Sequence, residues 1–547
     1  MAEPALSAES CTGNTEEESS SLPPEIAIGI DIGTTPCGVS VWNGSQFDIW
    51  TGEMNEMMKK CFETSKDHDF SIGASSSSSS STEVSLENEK MNQFFNIIFG
   101  ESAKLPFLMH TVDIEVHPFV AAFMNKLWKS TTAVELLGKF LTELRSIVET
   151  RLNKAIRMVV FTVPVSFSRL QVNRIYDACA MADLKVIKLM PQPIAVALWY
   201  VSHQLYGSSD EVMDNESKKN ALVFNMDAGY CDVSVIETER GKLRIKAMTG
   251  STIGVEDLLG NMMCHLLPDS EKIFKRHVRW NSDIISMAYL RSRIHDVITK
   301  LSTETSVDVD LESIDGLKIH RVVTRKEFED VNKKLFEKCE NLIYECLQDA
   351  KIEAENITDI IIVGGCCNIP RVKNLVTEIC NGKEIYEGID PLNAVLYGAV
   401  VAGAHKMDSS TSQVTLHAIG IQCDGEKFVP VIPKNTSVPT AWDMVFSTVD
   451  DNQTTALIVV CEGVEEGQKA EENNVLGNFE ITEIPEAPKG VPDITVSMSI
   501  DRKNILKITA SVGMPRFAHV ITNFDDRFLI RTYDDTIDLA NLLDAEQ

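Results

Sequence analysis

Asp31-Ile-Gly-Thr-Thr-Pro-Cys-Gly-Val-Ser-Val41 recurs, in register, as Asn225-Met-Asp-Ala-Gly-Tyr-Cys-Asp-Val-Ser-Val235. Each copy reads as a strand, a tight turn of small residues and a second strand. A turn rich in Gly and small hydroxylated side chains lets backbone N–H groups converge on a concavity, which is what phosphate oxygens require. Alone, either copy reads equally well as an ordinary hairpin. Together they describe two turns that grip a polyphosphate from opposite sides. A third element, Ile360-Ile-Ile-Val-Gly-Gly-Cys-Cys-Asn-Ile-Pro370, runs an apolar strand into a Gly-Gly turn and then a helix opened near Pro370. Its glycines permit close backbone approach to a base or sugar, and Pro suits a first helical turn.

Outward from these motifs the chain divides by composition. At 547 residues it is longer than one hydrophobic core usually sustains, so several domains are expected. Residues 1–25 are polar and acidic, with too little apolar surface to offset chain entropy, and are expected to be disordered. Residues 26–405 form one unit, and from Leu105 to about Ala404 it alternates short β-branched apolar runs with longer helical ones, which is α/β patterning; Met158 to Val163, Ala221 to Phe224 and Ile360 to Val363 read as buried strands. Within this unit, 51–104 is anomalous. It contains the serine run Ser75 to Ser81, a flexible-loop composition, although Met91, Phe94, Phe95 and Ile98 recur at helical spacing. A polar linker at 406–413 leads into a β-rich unit at 414–512, with strands at Lys427 to Ile432, Ala456 to Val460 and Asp493 to Ile500 and a hairpin turn at Asp501 to Asn504. A short tail, 513–547, ends the chain.

The bulk numbers exclude several classes. With 51 basic and 80 acidic residues the net charge is −29, which repels a nucleic-acid backbone and an anionic membrane surface, so neither is an expected partner. The 13 cysteines show no zinc spacing and no secreted-disulfide framework. Vicinal Cys366 and Cys367 read as packed thiols before they read as a redox pair, and the acidic run Glu462 to Glu472 as a solvated loop. No apolar run approaches the ~20 residues of a membrane span, and the N-terminus lacks a signal core and transit-peptide arginines. The cytoplasm, with the nucleus as a second location, follows by elimination.

In this order the three elements resemble the phosphate-1, phosphate-2 and adenosine motifs of the actin, sugar-kinase and heat-shock chaperone superfamily. The resemblance narrows to the seventy-kilodalton heat-shock chaperones through Ile28-Gly-Ile-Asp-Ile-Gly-Thr-Thr35, Thr162-Val-Pro-Val-Ser-Phe167, Gly254-Val-Glu-Asp257 and Val363-Gly-Gly365. It continues in Asp450-Asp-Asn-Gln453, Asn474-Val-Leu-Gly477 and Ile484-Pro-Glu-Ala-Pro-Lys-Gly-Val-Pro492. It covers 26–50 and 105 to about 512, and the short length is similar to the truncated plant-type members. The resemblance implies an actin-like two-lobed nucleotide-binding domain followed by a β-sandwich peptide-binding domain. It implies ATP or ADP with Mg²⁺ as cofactor, unfolded polypeptides as clients, and J-domain co-chaperones and nucleotide-exchange factors as partners. By the same resemblance Gly33, Thr34, Thr35, Gly229 and Gly254 belong to the phosphate side of the site, and Ser302, Gly364 and Gly365 approach the adenosine. Asp31 and Asp232 organise magnesium through water and are the surviving catalytic candidates. Ile419, Ile421, Phe446, Ala456 and Ile458 line the peptide pocket, unless they are simply the core of a sandwich.

The departures from the family concentrate on catalysis. The phosphate-2 turn of the family carries an Asp, three glycines and a Thr, where this chain has Asn225, Asp227, Ala228, Gly229 and Tyr230. The family's magnesium-shell Glu corresponds to Gln192, between Pro191 and Pro193. Its adenine-sandwiching basic residues correspond to Ile298 and Thr299, with His295 where a Glu is usual. Its catalytic lysine falls in the divergent segment and has no assignable counterpart. Weak or absent ATP hydrolysis is therefore expected. The leucine-rich linker of the family is Ser409-Ser-Thr-Ser-Gln413 here, which has little apolar area with which to dock and makes nucleotide control of peptide release doubtful. Asp424 replaces an apolar arch residue over the peptide, and 513–547 is too short for the family's helical lid. A fully active ATP-dependent refolding chaperone, an actin-like small-molecule kinase and a non-catalytic adaptor for co-chaperones stand as alternatives.

Overall fold

The computed structural model describes residues 27–32, 37–42, 47–50, 119–124, 127–206, 218–239, 242–266, 293–312, 318–404, 413–425, 427–463, 474–501, 505–514 and 517–525. The segments expected to be disordered at 1–25 and divergent at 51–104, the helical spacing at 91–98, the turn residues 502–504 and the linker up to residue 412 lie outside them.

The internal repeat becomes two sheets of one design. In the first, β1 (Ala27–Ile32), β2 (Cys37–Trp42) and β3 (Phe47–Trp50) are antiparallel, and β6 (Met158–Val163) and β7 (Lys185–Pro191) add in parallel, giving the order β3-β2-β1-β6-β7. A separate hairpin, β4 (Phe119–Met124) and β5 (Leu127–Thr132), precedes α1 (Ala133–Leu152). In the second sheet β8 (Lys219–Met226), β9 (Cys231–Glu239) and β10 (Lys242–Ser251) are antiparallel and β13 (Asp359–Val363) adds in parallel beside β8. Strands buried on both faces are continuous apolar runs. β6 is Met-Val-Val-Phe-Thr-Val, and its span is the one read from the sequence.

Helices cover these sheets because their apolar residues recur every three or four positions. α1 buries Val134, Leu137, Leu141, Leu144 and Val148 against the first sheet. α2 (Arg169–Met181) starts with a capping box in which the Ser168 hydroxyl accepts from Gln171 N and Gln171 Oε1 accepts from Ser168 N at 2.8 Å. α3 (Gln192–Tyr206) follows β7 directly. α4 (Val255–Leu266) and α5 (293–301) belong to the second lobe, as do the hairpin β11 (Ser306–Glu312) with β12 (Lys318–Thr324), α6 (Arg325–Val331) and α7 (Lys333–Ala350). α8 (Pro370–Ile379) opens on Pro370 at its first turn, as expected, and α9 (Ala394–Ala404) closes the unit. α3 and α9 pack against one another, with Trp199 stacked on Tyr397 at 4.5 Å. They sit in a core that joins Val160 of one sheet to Val223, Ile361 and Val363 of the other.

From residue 413 onward the described chain is strand. β14 (Gln413–Val414) pairs with β17 (Ser437–Val438). β15 (Ala418–Cys423), β16 (Lys427–Ile432), β19 (Ala456–Gly463) and β20 (Asn474–Ile481) form one sheet. β18 (Thr440–Ser447), β21 (Asp493–Ile500), β22 (Leu506–Met514) and β23 (Phe517–Asp525) form the other. Inward residues of both sheets make a single core. β23 carries the second sheet past residue 512, where the β unit was expected to end; it pairs with β22 from Met514↔Phe517 to Lys507↔Asp525.

Two departures concern how the units meet. Glu462 is not part of a solvated loop. It is 4% exposed at the end of β19, because its carboxylate accepts from Arg169 N at 2.7 Å, at the positive end of α2. Docking of the β unit also does not depend on the linker alone. Lys434 reaches Glu345 of α7, Asp349 at 3.4 Å and Thr249 Oγ1 at 3.1 Å. Asn435 donates to Asp349 at 2.8 Å and accepts from Met248 N. Val414 and Leu416 add apolar contact with the shared core of the lobes.

Candidate functional site

The floor of the cleft is a hydrogen-bonded chain that crosses from one lobe to the other. Asp31, next to the last residue of β1, is the parallel partner of Thr162 in β6. The Thr162 hydroxyl donates to Asp31 Oδ1 at 2.5 Å. Gln192, the first residue of α3, donates its Nε2 to the same oxygen at 2.9 Å, and Asn225 of β8 donates its Nδ2 to Gln192 Oε1 at 2.8 Å. Gln192 and Asn225 are 4% and 3% exposed. The bases of the two matched turns therefore meet through one glutamine. Burial raises Asp31 to about 6; the bonds from Thr162 and Gln192 act against that and the neighbouring charge of Asp227 adds to it.

Asp232 pairs opposite Asn225 in the β8–β9 ladder. Its Oδ2 accepts from Val165 N at 3.1 Å across the lobe boundary, while its Oδ1 has no partner among the described residues. Burial raises Asp232 to about 8, with the Val165 N–H pulling the other way. Asp227 in the second turn is also raised by burial, against the N–H groups of Ala228 and Gly365.

The second turn is built onto the start of α4. Asp227 O accepts from Val255 N at 3.0 Å, and Ala228 O from Glu256 N at 2.9 Å. Gly254 lies directly beneath. A Cβ there would fall 2.0 Å from Ala228 O, so this glycine is required by close backbone approach and positions the turn. Gly229 is half-buried in the turn itself. Tyr230 does not fill the cleft: its ring passes into the core of the first lobe and meets Phe167 edge-on, with centroids 5.4 Å apart.

At the third motif Gly364 has φ +90°, and a Cβ there would meet Met226 O at 2.4 Å, which ties the Gly-Gly turn to β8. Cys366 and Cys367 are buried and free, and burial pushes the Cys366 thiol well up, in keeping with packed rather than reactive thiols. Ser302 is half-buried and donates to Ile298 O. Ile298, at the family's basic position, is a core residue, and Thr299 and His295 are exposed. Gly33, Thr34 and Thr35 lie outside the described residues.

In the β unit Ile419, Ile421 and Ile458 are at most 5% exposed, and Phe446 and Ala456 are partly buried against the same core. All five meet between the two sheets. Asp424 is exposed in the tight turn with Gly425 between β15 and β16. Among the described residues no helix is long and apolar enough to cross a membrane, and no group of His, Cys, Asp and Glu has the arrangement of a metal cage.

The sequence reading singled out Gln192 and Asn225 as departures but not as partners. It gave no role to Thr162 or Phe167 beyond their motif.

Comparison with known proteins accounts for this architecture. Residues 27–524 match the family model described as Hsp70 protein. The chain is 44% identical to heat shock 70 kDa protein 8 of Arabidopsis thaliana, over 94% of this chain and 92% of that protein. It is 29% identical to a ribosome-associated molecular chaperone of Saccharomyces cerevisiae, over 88% and 79%. It is 27% identical to heat shock cognate 70 kDa protein 3 of Dictyostelium discoideum, over 92% and 80%. With its two-lobed α/β unit and its β-sandwich, this chain belongs to the Hsp70 chaperone family.

Proposed function

We propose that this protein holds unfolded or misfolded polypeptides and carries an ATP/ADP-binding unit that turns ATP over weakly or not at all. The observation that carries the reading is the chain from Asn225 through Gln192 to Asp31. Phosphoryl transfer to water depends on positioning and on charges aimed at the transferring group. Here two of the positions that bear carboxylates in the family are amides, and Oδ1 of the first-lobe carboxylate, Asp31, is already engaged by Thr162 and Gln192. Loss of one such positioned interaction costs roughly 10²-fold or more in rate.

In this reading the backbone of Gly33, Thr34, Thr35 and Gly229 receives the phosphates, Gly254 supports the second turn, and Ser302, Gly364 and Gly365 face the adenosine. Asp31 and Asp232 remain the catalytic candidates, and Asp227 adds a further carboxylate in the second turn. The nucleotide unit takes in 26–405, and the β unit from 414 onward binds an extended apolar segment at Ile419, Ile421, Phe446, Ala456 and Ile458, with strand edges supplying main-chain hydrogen bonds. J-domain co-chaperones and nucleotide-exchange factors fit as partners, and the net charge of −29 argues against nucleic acid and membrane surfaces. The cytoplasm is the matching compartment. The contacts of Lys434 with Glu345 and Asp349 favour a second reading, in which nucleotide state still reaches the peptide unit.

Calorimetric titration of ATP and ADP, single-turnover hydrolysis, and suppression of aggregation of a denatured model client test the proposal. Binding without appreciable turnover, together with client protection that needs no ATP, is the expected result. Hydrolysis at the ordinary rate of seventy-kilodalton chaperones would remove it.

A further inference from the structure

We infer that the cleft of this chain takes its nucleotide without a resident divalent cation, because the Gln192–Asn225 amide pair does by hydrogen bonding what a cation does between carboxylates. The inference rests on the nucleotide-binding reading above.

The orientation of the pair follows from chemistry. An ionised carboxylate only accepts, so Gln192 must turn its amide nitrogen to Asp31 Oδ1, at 2.9 Å. Its oxygen then faces Asn225, which must present its own nitrogen, at 2.8 Å. Neither amide can flip without placing an acceptor against an acceptor. Both side chains are almost completely buried, so water does not offer them equivalent partners. A Glu at 192 would set a second carboxyl against Asp31, and an Asp at 225 would set an acceptor against Gln192 Oε1; with both changes the row of carboxyls holds only with shared protons or a cation between them.

Mg²⁺, normal for the family, takes oxygen ligands and keeps several waters, whose protons are received by phosphates and by carboxylates of the protein. Asp31 Oδ1 already receives Thr162 and Gln192, and Gln192 Oε1 receives Asn225. The Gln192 nitrogen is a donor where the family offers a carboxylate. Asp232 Oδ1 is unpartnered but wholly buried, in a place where even a Cβ on Gly250 would approach to 2.6 Å. Of Asp31, Gln192, Asn225 and Asp232, Asp31 Oδ2 alone is left outside these bonds and burial, a single carboxylate oxygen where magnesium's water shell calls for several, and the floor is held together without the metal.

The test is calorimetry of ATP and ADP with the full chain, once in excess magnesium and once in EDTA, with thermal melts of the nucleotide-free protein in both buffers. Affinities that agree within about threefold, and melting temperatures that coincide, are expected. The Gln192→Glu/Asn225→Asp variant is expected to melt lower in EDTA than in magnesium and to gain about tenfold or more in ATP affinity from the metal. Wild-type ATP affinity that falls about tenfold or more in EDTA overturns the inference and leaves the nucleotide reading intact. No binding in either buffer overturns both. If the double variant fails to fold, Asn225→Asp alone and the chelator response of the wild type decide the question.

Discussion

The two lobes are copies of one strand plan with their acidic groups moved. In the first, the strand residue is Asp31, and Gly33-Thr34-Thr35 after it carry no charge. In the second, the matching strand residue is Asn225 and the carboxylate stands two places on, in the turn, at Asp227. The sheets that carry them share the same order of antiparallel and parallel neighbours. The difference shows that the strand plan rests on the apolar strand residues and the close backbone approaches, while the charged positions differ between the lobes and act on chemistry and on the pH dependence of stability.

The steric side of this comparison can be broken most forcefully at Gly254. Gly254→Ala drives a Cβ against the Ala228 carbonyl, a backbone atom that cannot rotate away, and is expected to cost about 3 kcal/mol or more. Gly29→Ala in the first lobe meets the side chains of Ser40 and Ala399 at 2.4 and 2.8 Å, and should cost less because the Ser40 hydroxyl has some room to adjust. Thermal unfolding of the two variants ranks the lobes; a milder effect at Gly254 than at Gly29 would reverse the conclusion that the second turn is the more tightly seated.

The electrostatic side is sharpened at Asp232. Its folded pKa, about 8, lies above the ordinary value of 3.8, so the folded state binds a proton that the unfolded state has released. Stability is therefore lost as pH rises through this window, and Asp31, at about 6, acts in the same direction. Asp232→Asn should be more stable than wild type by about 2 kcal/mol at pH near 8, with a flatter profile down to pH near 5, in denaturant titrations across that range. Glu237 opposes this at the acid end: burial alone would raise it, but the Lys218 hydrogen bond and the charges of Lys246, Lys218 and Arg244 hold it below the usual value. Its contribution is present at neutral pH and is lost as pH falls. A wild-type profile that rises steadily toward pH 8.5 would contradict the placement of Asp232.

The smallest effect expected is at Gly260, inside α4, the helix that Gly254 immediately precedes. No atom stands within 4 Å of a Cβ at Gly260. Gly260→Ala should add about 0.5–1 kcal/mol by restricting the unfolded chain and favouring helix, seen as a small rise in the denaturant midpoint.

Much of the frame was legible because it is written in local pattern. The apolar runs at 158–163 and 493–500 are the strands observed, and the register of the repeat anticipated the matched sheets. The last strand, Phe517–Asp525, was missed because its residues had been assigned to a tail, and only pairing with β22 gives them an edge to join. The relay was not legible for a different reason. Gln192 and Asn225 are 33 residues apart, Gln192 and Asp31 are 161 apart, and no periodicity connects them; the crossing of the lobes does. Glu462 misled because a run of acids averages over residues whose fates differ, and one of them ends a strand beside a helix N-terminus.

The inward turn of Tyr230 has a mechanical corollary. Its ring belongs by sequence to one lobe and by packing to the other, wedged beside Phe167 and 8% exposed. Swinging the lobes apart at their base would pull an aromatic plug out of its socket and wet both surfaces, at a cost of roughly 25 cal/mol for each Å² of apolar surface uncovered. The base of the two lobes is therefore pinned like an axle, and any opening there carries that cost.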